Sequence, residues 1–448
     1  MRLAVVVLAA GRGARMRSAL PKVLHPLAGK PMVQYSVEMA AELAPEKPLL
    51  VVGNGAGQVR RTVGDQASYV EQREQLGTGH ALLQARPLLE GRSETVAVWY
   101  ADMPCLSTDT LRRLLELQAE GKGPIAMLTA EADDPRGFGR ILRDEAGQVI
   151  GIVEEAVATD AQKKIKELNC GVYCFDGHWL WPRLAQLPLS PKGEYYLTDL
   201  VAMAVAEGQA VEALKISDVT EVLGINDRSH LAQAEAVMRQ RINQKWMLEG
   251  VTLLAPALTF IDATVEIGQD TVIYPNTYLE GATAIGRQCR LGPNTIVRDS
   301  TIGHGCTLEA SVVEGAVLEN GADVGPFSHL RKGAHLAQGA HVGNFGEVKN
   351  SYLGPGSKMG HFSYLGDATV GQDVNIGAGT ITCNYDGQRK HRTIIEDGAF
   401  IGSDTMLVAP VRVGAGAKIG AGSVVTHDIP PGSVAYGVPA RVRGKVEE

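Results

Sequence analysis

From about residue 251 an aliphatic side chain recurs every sixth position. Ile261, Ile267, Ile273, Leu279, Ile285, Leu291 and Val297 are seven such positions without a miss. After one five-residue step the series resumes at Ile302 and Leu308, then runs through Leu318, Val324, Leu330, Leu336, Val342 and Val348. It continues at Leu353, Met359, Leu365, Val370 and Ile376, and closes with Ile395, Ile401, Leu407, Val413, Ile419 and Val425. Glycine often follows the aliphatic directly, as at Gly268, Gly286, Gly303, Gly325, Gly377, Gly402 and Gly420. This is the hexapeptide repeat of a parallel β-helix, in which each aliphatic points inward and three hexapeptides close one coil. One coil cannot bury its apolar face alone, so the stack is the cooperative unit.

The remainder of the chain is built differently. Of 52 glycines, 22 lie in residues 1–250 and 30 in the shorter stretch 251–448. Residues 1–228 alternate apolar runs (Leu3–Leu8, Leu49–Val52, Thr95–Trp99, Ile125–Thr129) with amphipathic stretches (Met32–Leu43, Gly79–Leu89, Thr108–Ala119). That alternation predicts an α/β domain with a mostly parallel sheet covered on both faces, its ligands at the carboxyl ends of the strands. Residues 229–249 lack Gly and Pro, and Leu231, Met238, Ile242 and Met247 predict one loosely apolar face of a linker helix. The β-helix is expected over 250–448.

Composition removes several classes. The 448 residues are 45% apolar, an ordinary globular content, and no apolar run approaches the ~18 residues that span a bilayer. A formal charge of −7 argues against a nucleic-acid coat protein. Leu3–Ala10 runs into Gly11-Arg12-Gly13-Ala14-Arg15, unlike the small uncharged end of a secretory leader. The six cysteines form no C-x-x-C pair and no zinc spacing, so reduced thiols in a cytoplasmic protein are expected.

Chemistry-bearing residues cluster in both halves. Leu8-Ala9-Ala10-Gly11-Arg12-Gly13-Ala14-Arg15-Met16 follows the first strand, with Pro21-Lys22 downstream. A glycine turn lets backbone N–H groups approach phosphates, and Arg15 and Lys22 add the charge a triphosphate needs. It is neither a Walker loop nor a dinucleotide fingerprint. Gln72 and Gln75-Leu76-Gly77-Thr78-Gly79 form a second polar loop suited to a nucleobase edge. Asp102 stands at a strand's carboxyl end and, with Asn226, offers the few protein oxygens that Mg²⁺ needs beside substrate phosphates.

In the repeat frame, residues one coil apart stack at roughly 4.8 Å. Arg331 and Lys349 each follow an inward aliphatic and lie 18 apart, a repulsive pair better explained by an anionic ligand. His361 falls two places after inward Met359 and so points outward, a candidate general base. Glu347, a candidate orienting carboxylate, shares a column with Tyr364. The period breaks between Ile381 and Ile395, and insertions in solenoids usually sit on the binding side.

The strand followed by G-x-G-x-R and P-K resembles the sugar-phosphate nucleotidyltransferases. With Pro21-Lys22-Val23-Leu24-His25, Gln75–Ala81, Val342-Gly343-Asn344-Phe345, Tyr364-Leu365-Gly366-Asp367 and Asn375–Gly387, nearly the whole chain resembles the bifunctional N-acetylglucosamine-1-phosphate uridyltransferase/glucosamine-1-phosphate acetyltransferase family of bacterial UDP-N-acetylglucosamine synthesis. The resemblance implies a Rossmann-like nucleotidyltransferase domain joined to a left-handed β-helix that assembles as a homotrimer, with acetyl transfer sites between subunits. It implies a uridyltransferase site of Leu8, Ala9, Ala10, Gly11, Lys22, Gln72, Gly77, Thr78, Tyr100, Ala101, Asp102, Gly139, Glu154, Asn169 and Asn226, with Mg²⁺ and UTP. The acetyltransferase site would use His361 as base, with Arg331, Lys349, Tyr364 and Asn375 around the amino-sugar phosphate. Acetyl-CoA would meet Ala378, Asn384, Tyr385, Ser403 and Ala421. Ala14 and Ala101 depart from the family's threonine and glycine, and Gly437 from an arginine near CoA, for which Arg441 or Arg443 could substitute. Two alternatives give the β-helix only an oligomerisation or regulatory role, or make the chain a non-catalytic nucleotide-sugar scaffold.

Overall fold

The computed structural model describes residues 2–135 and 137–446 and contains two compact units, Met1–Met238 and Arg239–Glu448. In the first, a twisted sheet runs Val211–Ile216, Ile125–Glu131, Glu167–Asp176, Thr95–Tyr100, Leu3–Ala9, Leu49–Val52, Ser68–Glu71. Glu167–Asp176 is antiparallel to both neighbours and the other pairings along this path are parallel. The central strand, Leu3–Ala9, feeds two cores because successive side chains alternate faces. Val5, Val7 and Ala9 pack with Val33, Val37 and Leu111, whereas Val6 and Leu8 pack with Leu82, Leu180 and Val201. The strand order reverses around Leu3–Ala9, which opens a crevice at its carboxyl end.

The helices obey local signals. Thr108–Glu120 starts at Ser107, whose hydroxyl accepts from the Thr110 N–H at 3.1 Å, and stops at Gly121. Met32–Leu43 has the predicted bounds. The stretch expected as one helix over Gly79–Leu89 is instead two, Thr78–Leu83 and Arg86–Leu89. Pro87 has no N–H to continue the first helix and its ring crowds the carbonyl four residues back.

Helix Arg228–Leu248 carries the division between the two units, which falls after Met238. Its first half belongs to the sheet unit, where Glu235 accepts from the Ala28 N–H at 2.9 Å and Ala234 is buried. In the second unit Trp246 joins the β-helix core, and the Asn243 amide donates to the carbonyls of Pro256 (2.8 Å) and Thr259 (3.1 Å). Met247, expected on the apolar face, is exposed. Asn243 takes an inner position because its amide is satisfied by these two carbonyls.

The second unit stacks its short strands into three sheets of 12, 10 and 9 strands among the described residues, parallel apart from the closing hairpin Ser433–Gly437/Ala440–Lys445. All the aliphatics of the six-residue series are buried. Their pairing sets the coil length: Ile273↔Leu291↔Leu308↔Val324 gives steps of 18, 17 and 16. The short coil arises because Val313, absent from the six-residue series, is a fully buried inward position between two five-residue steps. Each buried aliphatic contributes roughly 1.5–3 kcal/mol against exposure. The insertion lies after Thr382, itself inward and buried, so that Ile376 pairs with Ile401 across 25 residues.

Candidate functional sites

The first site is a cavity of about 520 Å³ at the carboxyl ends of the central strands. Leu8, Ala9, Ala10 and Gly11 bring backbone to it from Leu3–Ala9, and Tyr100 and Asp102 from the neighbouring strand. Lys22, Gln72, Gly77, Thr78, Gly139, Glu154 and Asn169 complete the expected lining. The Lys22 ammonium contacts the Asp102 carboxylate directly and reaches Asn226 Oδ1 at 3.4 Å; their side chains keep only 11% and 21% exposure. Two oxygens therefore converge on one cation, a donor set that suits Mg²⁺ completed by phosphate oxygens. Gly13 sits at φ +61°, and a Cβ there would lie 2.6 Å from that of Lys22, so the turn closes over this lysine only as glycine.

The other side chains are held by short bonds. Buried Gln72 donates to the Gly77 carbonyl at 3.0 Å, fixing the polar loop at the start of Thr78–Leu83. Thr78 Oγ1 accepts from the Leu197 N–H (3.1 Å), and Glu154 accepts from the Thr198 hydroxyl (3.0 Å). Asn169 Oδ1 accepts from the Tyr173 hydroxyl (2.9 Å) and the Gly171 N–H (3.2 Å). Burial, then the Asp102 charge, pushes the Tyr100 phenol well above its ordinary range, so it stays neutral.

Two expected residues stand elsewhere. Arg15 is exposed and off the cavity wall, because the tight turn Ala14–Met16 buries Met16 and turns Arg15 outward. Arg12 lines the cavity in its place, its Nε 2.7 Å from Gln75 Oε1. Ala101 is fully buried, and its N–H donates to the Leu8 carbonyl at 3.0 Å. Sequence reasoning also missed Phe138, Glu194, Tyr196 and Thr198, which come from loops without a motif.

The second site lies on the β-helix. His361 is exposed at a corner, one coil below Asn344 and in one column with Ala378, Ser403 and Ala421, each two residues after its inward aliphatic. At that corner a Cβ on Gly343 would lie 2.0 Å from the Gly360 carbonyl, so the two coils meet through bare backbone. On the adjoining face Arg331 donates to Glu347 Oε1 at 2.7 Å. Glu347 is thus paired with the guanidinium one coil away. Tyr364 stacks beside Glu347.

Lys390, missed because the 384–392 insertion lies outside the repeat frame, faces Lys349. The Lys390 ammonium, with Arg331 adding to it, holds the Lys349 amine below its ordinary range. Such a gathering of cations suits an anionic ligand. Asn384 is buried and its amide donates to Asp367 at 2.6 Å, so it anchors the loop; Tyr385, 61% exposed, stands out from it. Asn375 is not brought to Lys349 and Tyr364, for it pairs with Lys358 and Phe400 on a different face.

The fold and its two sites define a nucleotidyltransferase fused to a hexapeptide-repeat transferase. Residues 5–246 match the model of the MobA-like NTP transferase domain, and residues 392–427 that of the bacterial transferase hexapeptide (six repeats), the repeat of left-handed β-helices. The chain is 50% identical to the bifunctional protein GlmU of Heliobacterium modesticaldum over 99% of its length and 96% of that protein's. It is 47% identical to those of a Geobacillus species (95% and 93%) and of Exiguobacterium sibiricum (96% and 96%). The chain belongs to the GlmU family of bifunctional enzymes, uridyltransferase and acetyltransferase in one polypeptide.

Proposed function

We propose that the sheet unit joins UTP to N-acetylglucosamine-1-phosphate and that the β-helix makes that sugar phosphate from glucosamine-1-phosphate and acetyl-CoA. At the first site the sugar phosphate oxygen attacks the α-phosphorus of UTP, the bond to the β-phosphate oxygen breaks, and pyrophosphate leaves. Lys22 and Arg12 face the phosphates, Gln72, Gly77 and Thr78 the base, and Glu154 and Asn169 the sugar. Asp102 and Asn226 would hold Mg²⁺, which when bound spreads the charge of the departing pyrophosphate. No protein nucleophile is needed.

At the second site His361 takes a proton from the sugar's amino group, whose nitrogen attacks the thioester carbonyl and expels the CoA thiolate. Arg331, Lys349 and Lys390 hold the sugar phosphate, and the small side chains of Ala378, Ser403 and Ala421 leave room for the pantetheine arm. The outward column of His361, Ala378, Ser403 and Ala421 on the repeat, in a chain half identical to a bifunctional relative over nearly its whole length, is the observation that carries this reading. A coupled assay on one preparation tests it: free CoA thiol from glucosamine-1-phosphate, and pyrophosphate from UTP with Mg²⁺. Failure of either half removes that activity.

A homotrimer completes the second site in this reading. Phe327, Phe345 and Phe362 occupy successive coils of one corner at 58–62% exposure, with Phe327 and Phe345 stacked at 5.3 Å. Exposed aromatics in such a column favour a protein partner, and Asn375 of a neighbouring copy would supply what its own chain holds on another face. Light scattering should return three chains per particle. The free cysteines accord with a cytoplasmic setting.

A further inference from the structure

We propose that Asp367 is a positioning residue for sugar-phosphate binding: its carboxylate clamps the mouth of the 384–392 loop and so holds Lys390 beside Lys349. The inference rests on the acetyl-transfer reading of the β-helix site.

Asp367 is 9% exposed and both carboxylate oxygens are engaged. Oδ1 accepts from the Asn350 amide and Oδ2 from the Asn384 amide, each at 2.6 Å. Its own N–H donates to the Lys349 carbonyl at 3.1 Å, and its carbonyl accepts from Thr393 at 3.3 Å. One residue thus ties the coil that carries Lys349 to both ends of the loop that carries Lys390. The loop is closed within itself. Asn384 accepts from the His391 N–H (2.8 Å), Tyr385 and Lys390 form a bridge, and Asp386 accepts from His391 Nε2 at 2.6 Å.

The electrostatics give the clamp its purpose. Arg331, Lys349 and Lys390 gather three positive charges, and repulsion drives a loop-borne lysine away from a strand-borne one. Glu347 is spent on Arg331. Asp367 is the carboxylate that both lysines feel, and despite burial the two amides and two ammonium groups hold its carboxyl below the ordinary range. It therefore stays ionised and offsets the cost of assembling an anion site before the anion arrives. The ligand class is a phosphate monoester dianion.

The test uses the full-length enzyme and both activities. In Asp367→Asn the KM for glucosamine-1-phosphate should rise about tenfold, equivalent to ~1.4 kcal/mol. The KM for acetyl-CoA, kcat at saturation and uridyl transfer should stay near wild type. Lys390→Met should give a similar rise, and the double variant no more than the larger single effect, because both changes remove one element. Additive effects, or a lower melting temperature and kcat with an unmoved KM, overturn the proposal. Should Asp367→Asn not fold, Asn350→Ala decides: it removes one amide partner without touching substrate, and an unchanged sugar-phosphate KM overturns the proposal. A wild-type enzyme that fails to acetylate sinks the site reading instead.

Discussion

The Lys22 ammonium rests directly on the Asp102 carboxylate, 80 residues away in sequence, at the point where the strand order of the sheet reverses. The two groups pair as opposite charges in a partly buried wall. Phosphates and a metal ion would exchange these partners without changing the count of charges. Replacing one member leaves the other unpaired in the site. Lys22→Met and Asp102→Asn should each cut uridyl transfer by about 10²–10³, with acetyl transfer intact. Pyrophosphate release and CoA thiol release, followed on the same sample, check this.

His361→Ala should produce the reverse pattern. Loss of a positioned general base costs about 10²–10⁴ in rate, read as CoA thiol release, while pyrophosphate release from UTP continues. If both activities vanish in a variant that remains folded, the two-site account is wrong.

Arg12 and Arg15 separate two readings of one glycine turn. Because Arg12 lines the cavity and Arg15 does not, Arg12→Ala should raise the KM for UTP several-fold, about 1 kcal/mol, more than Arg15→Ala does. Equal effects, or a larger one at Arg15, would show that the turn rearranges when nucleotide binds.

Glu167 is a structural carboxylate whose pH signature has a definite sign. Arg143 (2.8 and 2.6 Å) and the Thr129 hydroxyl (2.8 Å) hold it, and the Arg143 bonds keep its pKa below the ordinary 4.5 despite burial. Its stabilisation is therefore present above pH 4.5 and is lost as pH falls through the lower folded value. Glu167→Gln should cost about 1.5–3 kcal/mol near neutrality and flatten that acid limb in chemical denaturation.

In the β-helix, Leu330→Ala should cost about 2–5 kcal/mol, because its neighbours in the coils above and below cannot collapse into the void. Thermal melting of the acetyl-transfer activity measures this, and uridyl transfer on the same sample serves as the comparison.

What the chain disclosed about itself follows physical lines. The inward aliphatics and the central strands were legible because burial imposes a period or an unbroken apolar run, and Asp102 because it ends such a run. Val313 escaped because two five-residue steps hide it from a six-residue frame. Asn243 escaped because a polar residue can be buried when it satisfies carbonyls, and no hydropathy pattern registers that. Arg12 was passed over for Arg15 because a glycine turn leaves side-chain direction to φ and ψ. Lys390 and Asp367 depend on a loop folding back on its own coil, a relationship with no sequence period.

The coil from Ile376 to Ile401 takes 25 residues where others take 16–18, yet its strands pair in the same register as the rest. Standing upright and recognising a ligand are thus assigned to different residues. The buried column is indifferent to what is spliced in at a corner, so a β-helix of this kind can exchange one acceptor for another by rewriting a short outward loop, while every coil above and below keeps its place.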